Sequence, residues 1–208
     1  MIAIVDYNMG NLASVKNAFA KLGKDTVVEN NPEKFKDYDK LILPGVGAFG
    51  DAMEHLKERN MVEPIKEFAA SGKPMIGICL GMQLLFESSE EFGKHEGLGL
   101  IKGSVTAFDS SKFSEPLKVP HMGWNEVAQM TDHPLWKDIE DGSRFYFVHS
   151  YYVEAQARDL VAGVCRYGKQ FDVALARDNA FAVQFHPEKS SKAGLQLLKN
   201  FLNWDGKI

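Results

Sequence analysis

The sequence has only two cysteines, Cys79 and Cys165, among its 208 residues. Two cysteines are too few for the disulfide framework of a small secreted domain, so both thiols are expected to be reduced. No stretch reaches the length of about 18 apolar residues that a membrane-spanning helix needs. The opening residues, MIAIVDY, lead directly into a strand pattern without the charged and apolar regions of a signal peptide. We therefore expect a cytoplasmic chain that does not enter a membrane.

The chain also lacks an excess of charge of one sign. Its 24 basic and 28 acidic residues leave a formal net charge of −4, and no basic run is present. Nucleic-acid-binding domains carry basic patches that neutralise phosphates, so this class of function is not expected. No group of histidines and cysteines has the spacing of a metal site, and we expect neither a metal nor a cofactor.

Strand and helix patterns alternate along the first half of the sequence. Strand patterns occur at 2–7, 25–30, 39–45 and 73–78. Helical patterns occur at 11–23, 51–72 and 80–91. Such alternation through short connections predicts parallel strands with right-handed crossovers. From about 97 to 178 the patterns are successive strands and turns, followed by a strand at 180–190 and a helix at 193–204.

These patterns predict an α/β fold. We expect one domain over residues 1–208, with a central, mostly parallel sheet flanked by helices and an additional antiparallel or mixed lobe. No repeat, low-complexity segment or linker divides the chain.

Cys79 lies between two glycines in the segment GICLGMQ, where a predicted strand ends and a predicted helix begins. This arrangement is the thiol form of a nucleophile elbow, in which the nucleophile occupies a strained turn. Gly77 and Gly81 remove side chains that would collide there. The following helix points its N–H groups at the sulfur and favours the thiolate. A buried structural cysteine is the alternative, but the strand–turn–helix context favours a nucleophile.

His186 is the candidate base among the six histidines. The segment QFHPEKS places it at the end of an apolar strand, where the sites of α/β sheets collect. Pro187 keeps His186 extended, and Glu188 follows closely enough to orient the imidazole. A nucleophilic thiol needs such a base, so the sequence predicts a Cys79–His186–Glu188 triad.

The other cysteine and two further histidines are interpreted as structural residues. Cys165 lies in the apolar segment LVAGVCRYG and is expected in the core, as unreactive cysteines commonly are. His121 and His149 lie in strand-like segments, where a hydrogen-bonded core histidine is the usual interpretation.

The segment LPGVGAFG, at 43–50, follows another predicted strand and is rich in glycine. Its bare backbone N–H groups fit either an oxyanion hole or a phosphate cradle, but the Lys-Ser/Thr pair of a P-loop is absent. Beside a thiol nucleophile the oxyanion hole is favoured. The predicted donors are the N–H groups of Val46, Gly47 and Leu80, the last being the residue after the nucleophile.

Together, the motifs PGVGAFG, GICLGMQ and HPE, in this order, resemble those of the class I (triad) glutamine amidotransferases. The resemblance covers essentially the whole chain. It implies that Cys79 attacks the side-chain amide of L-glutamine, that ammonia leaves, and that water releases glutamate from a thioester. It also implies that the substrate is held by Gly47, Gln83, Glu91, Ser150 and Tyr151.

Three further segments, DYNMGNLASVKNAF, VPHMGWN and FYFVHSYY, resemble one branch of that family, the glutaminase subunits of imidazole glycerol phosphate synthase in histidine biosynthesis. Many members of this branch have the sequence D-Y-G where this chain has Asp6-Tyr7-Asn8. The resemblance implies a heterodimer with a (β/α)8-barrel cyclase subunit, which uses the ammonia to make imidazole glycerol phosphate and an aminoimidazole carboxamide ribotide. Residues implied at or near the subunit contact are Asn8, Asn11, Tyr146 and Lys189.

Two other functions stay open at this point. The chain could be the glutaminase subunit of another ammonia-channelling synthase, such as the one that makes pyridoxal phosphate, although PHMGWN and DYNMGNL argue against it. It could also be a non-catalytic regulatory subunit with the same fold, although a complete set of triad residues argues against that function.

Overall fold

The computed structural model describes residues 1–208 and contains fourteen strands and five α-helices. The strands are β1 (Ile2–Val5), β2 (Val27–Glu29), β3 (Lys40–Leu43), β4 (Met75–Ile78), β5 (Phe86–Ser89), β6 (His95–Glu96), β7 (Ile101–Ala107), β8 (His121–Glu126), β9 (Ala128–Gln129), β10 (Arg144–His149), β11 (Tyr151–Ala155), β12 (Val161–Tyr167), β13 (Lys169–Arg177) and β14 (Ala180–Val183). The helices are α1 (Leu12–Lys21), α2 (Phe49–Glu58), α3 (Val62–Ala70), α4 (Leu80–Leu84) and α5 (Ser191–Asn203). None of the helices is long and apolar enough to cross a membrane.

One part of the twelve-stranded main sheet is parallel, as the alternation of strands and helices predicts. Its strand order is β2-β1-β3-β4-β14, and each neighbouring pair runs parallel. The sheet then continues through antiparallel pairs from β14 to β13, β11 and β7, and ends with β5 and β6. The predicted antiparallel region is therefore an extension of the same sheet. Strands β8 and β10 form a separate two-stranded antiparallel ribbon.

Helices cover both faces of the parallel strands. Alternate side chains of a strand point to opposite faces, so Ile4 packs with α1 and α5 while its neighbour Val5 packs with α2 and α3. Phe19 and Phe201 meet edge to face at 6.5 Å on the first side, and Phe68 of α3 is buried on the second. Because both faces are buried, these strands are continuous apolar runs in the sequence.

The bounds of the helices follow local signals in some places and tertiary contacts in others. Helix α1 begins after Asn11, whose side chain accepts a hydrogen bond from the Ser14 N–H at 3.3 Å. The helical pattern at 51–72 is divided in two, because Asn60 has a left-handed φ of 55° between α2 and α3.

The helix predicted at 80–91 is wrong beyond Leu84. Residues 86–89 form strand β5 instead, which pairs in parallel with β7. The carbonyl oxygens of Leu84 and Leu85 accept hydrogen bonds from the N–H groups of Leu98 and Leu100, both at 2.8 Å. These tertiary hydrogen bonds take the acceptors that a continuing helix would use, so α4 ends after one turn.

The start of α4 lies directly against the end of β3, and Gly81 makes this approach possible. A Cβ atom at Gly81 would overlap the backbone carbonyl oxygen of Leu43. A Cβ atom at Gly77 would lie 2.9 Å from the carbonyl oxygen of Gly81 itself. Neither obstacle is the flexible end of a side chain, so neither position has room for a larger residue.

We predict that Gly81→Ala lowers the free energy of unfolding by roughly 3 kcal/mol, at the upper end of the range for overpacked sites. Gly72→Ala is the matched control, because Gly72 has a φ of +81° but no atom within 4 Å of a Cβ placed on it. The control should lose only the roughly 1–2 kcal/mol of a left-handed backbone. Urea unfolding measures both variants, and equal losses would contradict the packing argument.

Candidate active site

The chain turns at the carboxyl ends of β1, β3, β4 and β14, which lie along one edge of the parallel sheet. A pocket of about 380 Å³ opens at this edge. Nine of its lining residues are predicted from the sequence: Val46, Gly47, Cys79, Leu80, Gln83, Glu91, Ser150, Tyr151 and His186. Two more, Val148 and His149, are not among the predicted site residues. Three separate motifs thus meet in one cavity.

Cys79 occupies the strained turn that the two flanking glycines predict. Its φ of 55° and ψ of −114° are rare for a residue with a side chain. Its N–H donates a 2.8 Å hydrogen bond to the Val183 carbonyl of β14, which fixes the turn to the neighbouring strand. Cys79 is buried and lines the pocket. Strain of this kind collects at functional sites, because the surrounding structure must hold it in place.

His186 and Glu188 form a buried pair behind the pocket. His186 Nδ1 lies 2.7 Å from Glu188 Oε1, and the two side chains are only 2% and 1% exposed. His186 Nε2 has no other hydrogen-bond partner in the protein, and the ring lines the pocket together with Cys79. Nδ1–H therefore donates to Glu188, and Nε2 is the nitrogen left for chemistry.

Opposing effects set the charge of His186. Burial lowers the pKa of the imidazole, but the neighbouring Cys79 and the hydrogen bond and charge of Glu188 raise it well above the usual value. The imidazolium is therefore the favoured form at neutral pH. An imidazolium beside a thiol favours the thiolate, which is the reactive form of cysteine.

The loop that carries His186 is held by Ser190 and by strand β10. The Ser190 hydroxyl donates to the His186 carbonyl at 2.6 Å and accepts from the Tyr146 N–H at 2.9 Å. The His186 N–H donates to the Tyr146 carbonyl at 2.9 Å. The sequence gives no signal for this role of Ser190, because Tyr146, which it links to the loop, lies 44 residues away in the chain.

The glycine-rich loop after β3 is anchored by a hydrogen bond from Tyr7. The buried Tyr7 hydroxyl donates to the Pro44 carbonyl at 2.7 Å, and burial raises the pKa of Tyr7, so it stays a donor. Gly47 has a left-handed φ of +101°. The backbone N–H groups of Val46, Gly47 and Leu80 donate to no protein acceptor. These three donors are available to a ligand next to the Cys79 thiol.

Two polar side chains, Gln83 and Glu91, also line the pocket. Gln83 donates through Nε2 to the Tyr151 carbonyl at 3.2 Å and to Gln184 Oε1 at 3.1 Å, which leaves its own carbonyl oxygen free for a ligand. Glu91 accepts a 3.1 Å hydrogen bond from the Phe49 N–H at the start of α2. Burial raises the pKa of Glu91. The wall therefore offers one carboxylate and one amide oxygen.

Gln184 is a site residue that the sequence analysis missed. Its side chain is fully buried, and Nε2 lies 3.8 Å from Cys79 Sγ, within the range of a hydrogen bond to sulfur. A donor at this position stabilises negative charge on the sulfur. A polar residue inside the apolar run AFAVQF was the available signal, since a buried amide requires partners.

The residues expected at a subunit contact have varied surroundings. Asn8 is exposed with a left-handed φ of 69°, and Lys189 is also exposed. Tyr146 is half-buried, with its ring 6.2 Å from that of Trp124. Asn11 has a structural role as the cap of α1. The structure thus leaves Asn8, Tyr146 and Lys189 accessible.

The burial predicted for the other cysteine and for two histidines is confirmed. Cys165 is buried, and burial raises its pKa to about 12. His121 and His149 are buried and hydrogen-bonded to each other at 2.9 Å. His149 also lines the pocket. No group of three or more His, Cys, Asp or Glu side chains is arranged to hold a metal ion.

Comparison with known sequences gives a family and named relatives. The family model for glutamine amidotransferase class-I matches residues 3–204. The imidazole glycerol phosphate synthase subunit HisH of Sulfurimonas denitrificans is 64% identical, over 98% of this chain and 98% of the relative. The protein of the same name from Wolinella succinogenes is 52% identical, over 97% of this chain and 98% of the relative.

Solved structures share the fold at low sequence identity. A structure of PurLQS from Thermotoga maritima has a TM-score of 0.76 and 22% identity, covering 97% of each chain. A structure described as a glutamine amidotransferase has a TM-score of 0.74 and 16% identity, covering 98% of each chain. At these identities the likeness concerns the fold alone.

We predict that Glu188→Gln lowers the pKa of His186. The amide keeps an oxygen acceptor for Nδ1–H but removes the charge, and in the native protein both the hydrogen bond and the charge of Glu188 raise this pKa. The imidazolium should then lose its proton at lower pH, so the charged ring should be present beside Cys79 over a narrower range of pH. NMR titration of the His186 ring measures the pKa. Glu90→Gln, an equal change at an exposed position, is the control; a pKa that matches the control would show that the carboxylate has no effect.

Proposed function

The chain belongs to the class-I glutamine amidotransferase family and is a glutamine-hydrolysing subunit of imidazole glycerol phosphate synthase, and we propose that Cys79, His186 and Glu188 carry out the hydrolysis. One observation carries this assignment: a thiol on a strained turn shares a pocket with an imidazole held by a buried carboxylate. The HisH relatives favour this synthase over other ammonia-channelling synthases, and the complete triad argues against a non-catalytic subunit.

The reaction begins with attack by the Cys79 thiolate on the side-chain amide carbon of glutamine. The carbon–sulfur bond forms as the carbonyl π electrons move to oxygen, giving a tetrahedral oxyanion. His186, held as an imidazolium by Glu188, donates its Nε2 proton to the amide nitrogen. The carbon–nitrogen bond then breaks and ammonia leaves, with a thioester on Cys79 and a neutral imidazole on His186.

Water completes the cycle. The neutral His186 takes a proton from a water molecule that attacks the thioester carbon. Collapse of the second tetrahedral intermediate expels the Cys79 thiolate and releases glutamate, and His186 is again an imidazolium. Glu188 keeps the ring in one orientation and favours its charged form in both steps, but it exchanges no proton.

The oxyanion of both intermediates requires donors that are free before the reaction. We assign this role to the N–H groups of Val46, Gly47 and Leu80, because none of them is used by the protein and all three residues line the pocket. Tyr7 supports them indirectly, since its hydrogen bond to Pro44 anchors the loop.

Glutamine brings an α-ammonium and an α-carboxylate that distinguish it from a simple amide. Glu91 is the carboxylate among the pocket residues, and we assign it to the α-ammonium. The free carbonyl oxygen of Gln83 and the backbone of Ser150 and Tyr151 complete the binding wall. Gly47 also lines the pocket, and we assign its backbone to the same substrate.

The partner that receives the ammonia is proposed to be a (β/α)8-barrel cyclase subunit, forming a heterodimer. The relatives are named as subunits of a synthase, which supports a partner chain. The outer face of the β8–β10 ribbon exposes Met122 by 62% and Trp124 by 47%. Methionine and tryptophan are enriched in protein interfaces. Val148, on the same ribbon, lines the pocket, so this apolar face is continuous with the point of ammonia release.

Four residues are proposed contacts at this interface on the basis of family resemblance. Tyr146 has the strongest support, because it packs against Trp124 on the outer face of the ribbon. Asn8 and Lys189 are exposed at turns that follow β1 and β14. For Asn11 the structure offers only its capping of α1.

We propose further that residues 1–208 form one domain that works in the cytoplasm. The main sheet takes strands from both ends of the chain, since β1 and β14 belong to it. Both cysteines are unpaired, in agreement with a reducing compartment.

The proposed function is tested by glutamate release, measured for the chain alone and with the barrel cyclase and its nucleotide ligand. We expect the complex to release glutamate faster than the chain alone and to make product from either glutamine or added ammonia. Cys79→Ala should abolish glutamine-dependent product formation and leave ammonia-dependent formation intact, because the thiol serves only ammonia release.

Cys165→Ala is the matched control, since Cys165 is the other buried cysteine and lies outside the pocket. It should keep both activities. If the cyclase had no effect on glutamate release, the partner assignment would fail. If Cys79→Ala still released glutamate, the assignment of the nucleophile would fail.

We predict that Glu91→Gln raises KM for glutamine by about tenfold with a smaller change in kcat. The amide still accepts from the Phe49 N–H but no longer attracts the α-ammonium, and a tenfold loss corresponds to about 1.4 kcal/mol. Steady-state kinetics measure both constants. Glu90→Gln changes the same charge on an exposed neighbour and should leave KM unaltered; equal KM values in the two variants would refute the role of Glu91.

A further inference from the structure

Two buried histidines connect the β8–β10 ribbon to the wall of the pocket. His121 and His149 are cross-strand partners, with His121 Nδ1 and His149 Nε2 at 2.9 Å. His149 Nδ1 lies 2.8 Å from the Tyr151 carbonyl oxygen. His121 does not line the pocket, whereas His149 and Tyr151 do. These hydrogen bonds therefore connect His121, which lies outside the pocket, to His149 and Tyr151, which line it.

The hydrogen bonds of this pair have only one consistent direction. A carbonyl oxygen can only accept, so His149 Nδ1 carries a proton and, in the neutral ring, Nε2 is an acceptor. His121 Nδ1 must then donate, and its Nε2 accepts from Asn125 Nδ2 at 3.2 Å. The Asn125 orientation is fixed in turn, because its Oδ1 accepts from the Glu126 N–H at 2.8 Å. Both rings are thus neutral Nδ1–H tautomers.

Burial keeps the rings neutral. It lowers the pKa of His121 to about 4, and it lowers the pKa of His149 to about 3 although the Tyr151 hydrogen bond opposes this. A protonated His121 would also place Nε2–H against the donor of Asn125. At neutral pH both rings are therefore uncharged, and the hydrogen bond between them keeps one direction.

A series of hydrogen bonds leads from His149 towards Cys79. The Tyr151 carbonyl that accepts from His149 also accepts from Gln83 Nε2 at 3.2 Å. Gln83 donates to Gln184, and Gln184 Nε2 lies 3.8 Å from Cys79 Sγ. Loss of the donor at His149 would release the Tyr151 carbonyl, on which the orientation of Gln83 depends.

We propose that His121 is a positioning residue for the glutamine site, acting through His149 on the Tyr151 carbonyl and on Gln83. The inference rests on the proposed glutaminase function and deepens it. By donating to His149 Nε2, His121 forces the proton of His149 onto Nδ1, where it holds the binding wall. Without that donor, His149 can adopt the Nε2–H tautomer, which presents a lone pair to the Tyr151 carbonyl and repels it.

A packing role for His121 makes a different prediction. Its ring stacks on Tyr167 at 4.1 Å and on Phe147 at 4.8 Å. Phe at this position keeps an aromatic ring between these neighbours but has no donor, whereas Asn supplies a donor near the position of Nδ1 without the ring. Packing requires the ring and positioning requires the donor, so the two variants separate the roles.

The first experiment is NMR of the ¹⁵N-labelled full chain, which assigns imidazole tautomers without any turnover. We expect both His121 and His149 as neutral Nδ1–H tautomers at pH 7, and His149 as the Nε2–H tautomer in His121→Phe. A native His149 in the Nε2–H form would overturn the proposal. So would an unchanged His149 tautomer in a folded His121→Phe variant.

The second experiment measures glutaminase kinetics of the complex with the cyclase. We expect His121→Phe to raise KM for glutamine roughly 5- to 10-fold, the effect of about one net hydrogen bond, with kcat changed less than about twofold. His121→Asn should recover most of the native KM. If His121→Phe does not fold, a His121→Asn variant with near-native KM supports the donor role, and one with a KM raised tenfold overturns it.

Failure of this inference is distinguishable from failure of the proposed function. If the native complex releases no glutamate from glutamine, the function fails whatever the tautomers are. If the native complex is active and His121→Phe keeps its KM, the function stands and the positioning role falls. Ammonia-dependent product formation should be unaltered in every variant, and its loss would show a general structural defect and overturn a role confined to the glutamine site.

Discussion

The close approach of α4 to the end of β3 is the constraint on which the site depends. Because Gly81 has no side chain, the first turn of the helix rests against the Leu43 carbonyl. That contact places Cys79, the residue before the helix, at the carboxyl ends of the parallel strands. Its backbone has a positive φ of 55° there. The contact also brings the thiol next to the glycine-rich loop that begins one residue after Leu43. The absence of one Cβ thus allows the proposed nucleophile to lie close to the proposed oxyanion donors.

Burial and hydrogen bonding compete throughout the site, and the outcome differs from one histidine to the next. His186 has a carboxylate on one side and a thiol on the other, so it favours the charged form in spite of its burial. His121 and His149 have only neutral hydrogen-bond partners, so burial prevails, and the charge of His186 lowers the pKa of His149 further. Both therefore stay neutral. The same side chain is therefore charged in one place and neutral in another. In our proposals the charged ring serves acid–base chemistry and the neutral rings keep a fixed orientation.

The parts of the fold and site that the sequence predicts are those set by local patterns. The parallel strands follow from apolar runs alternating with helices, and Cys79, His186 and Glu188 follow from glycine spacing and from a strand ending at His-Pro-Glu. The end of α4 could not be predicted in this way. It depends on hydrogen bonds from Leu98 and Leu100, which are distant in sequence. Ser190 was missed for the same reason, because its contact with Tyr146 is made only in the folded chain. Gln184 left a signal, a polar residue in an apolar run, but that signal does not identify Cys79 as its partner.

The different surroundings of the two cysteines have a practical consequence. Cys165 is buried, and burial raises its pKa to about 12, so its thiol stays protonated at neutral pH. Cys79 faces a cavity and an imidazolium. Thiolates react with electrophiles and thiols do not, so an alkylating reagent should modify one sulfur per folded chain. The stoichiometry of alkylation therefore counts the chains in which the proposed nucleophile is intact, without a coupled assay and without removal of the second cysteine.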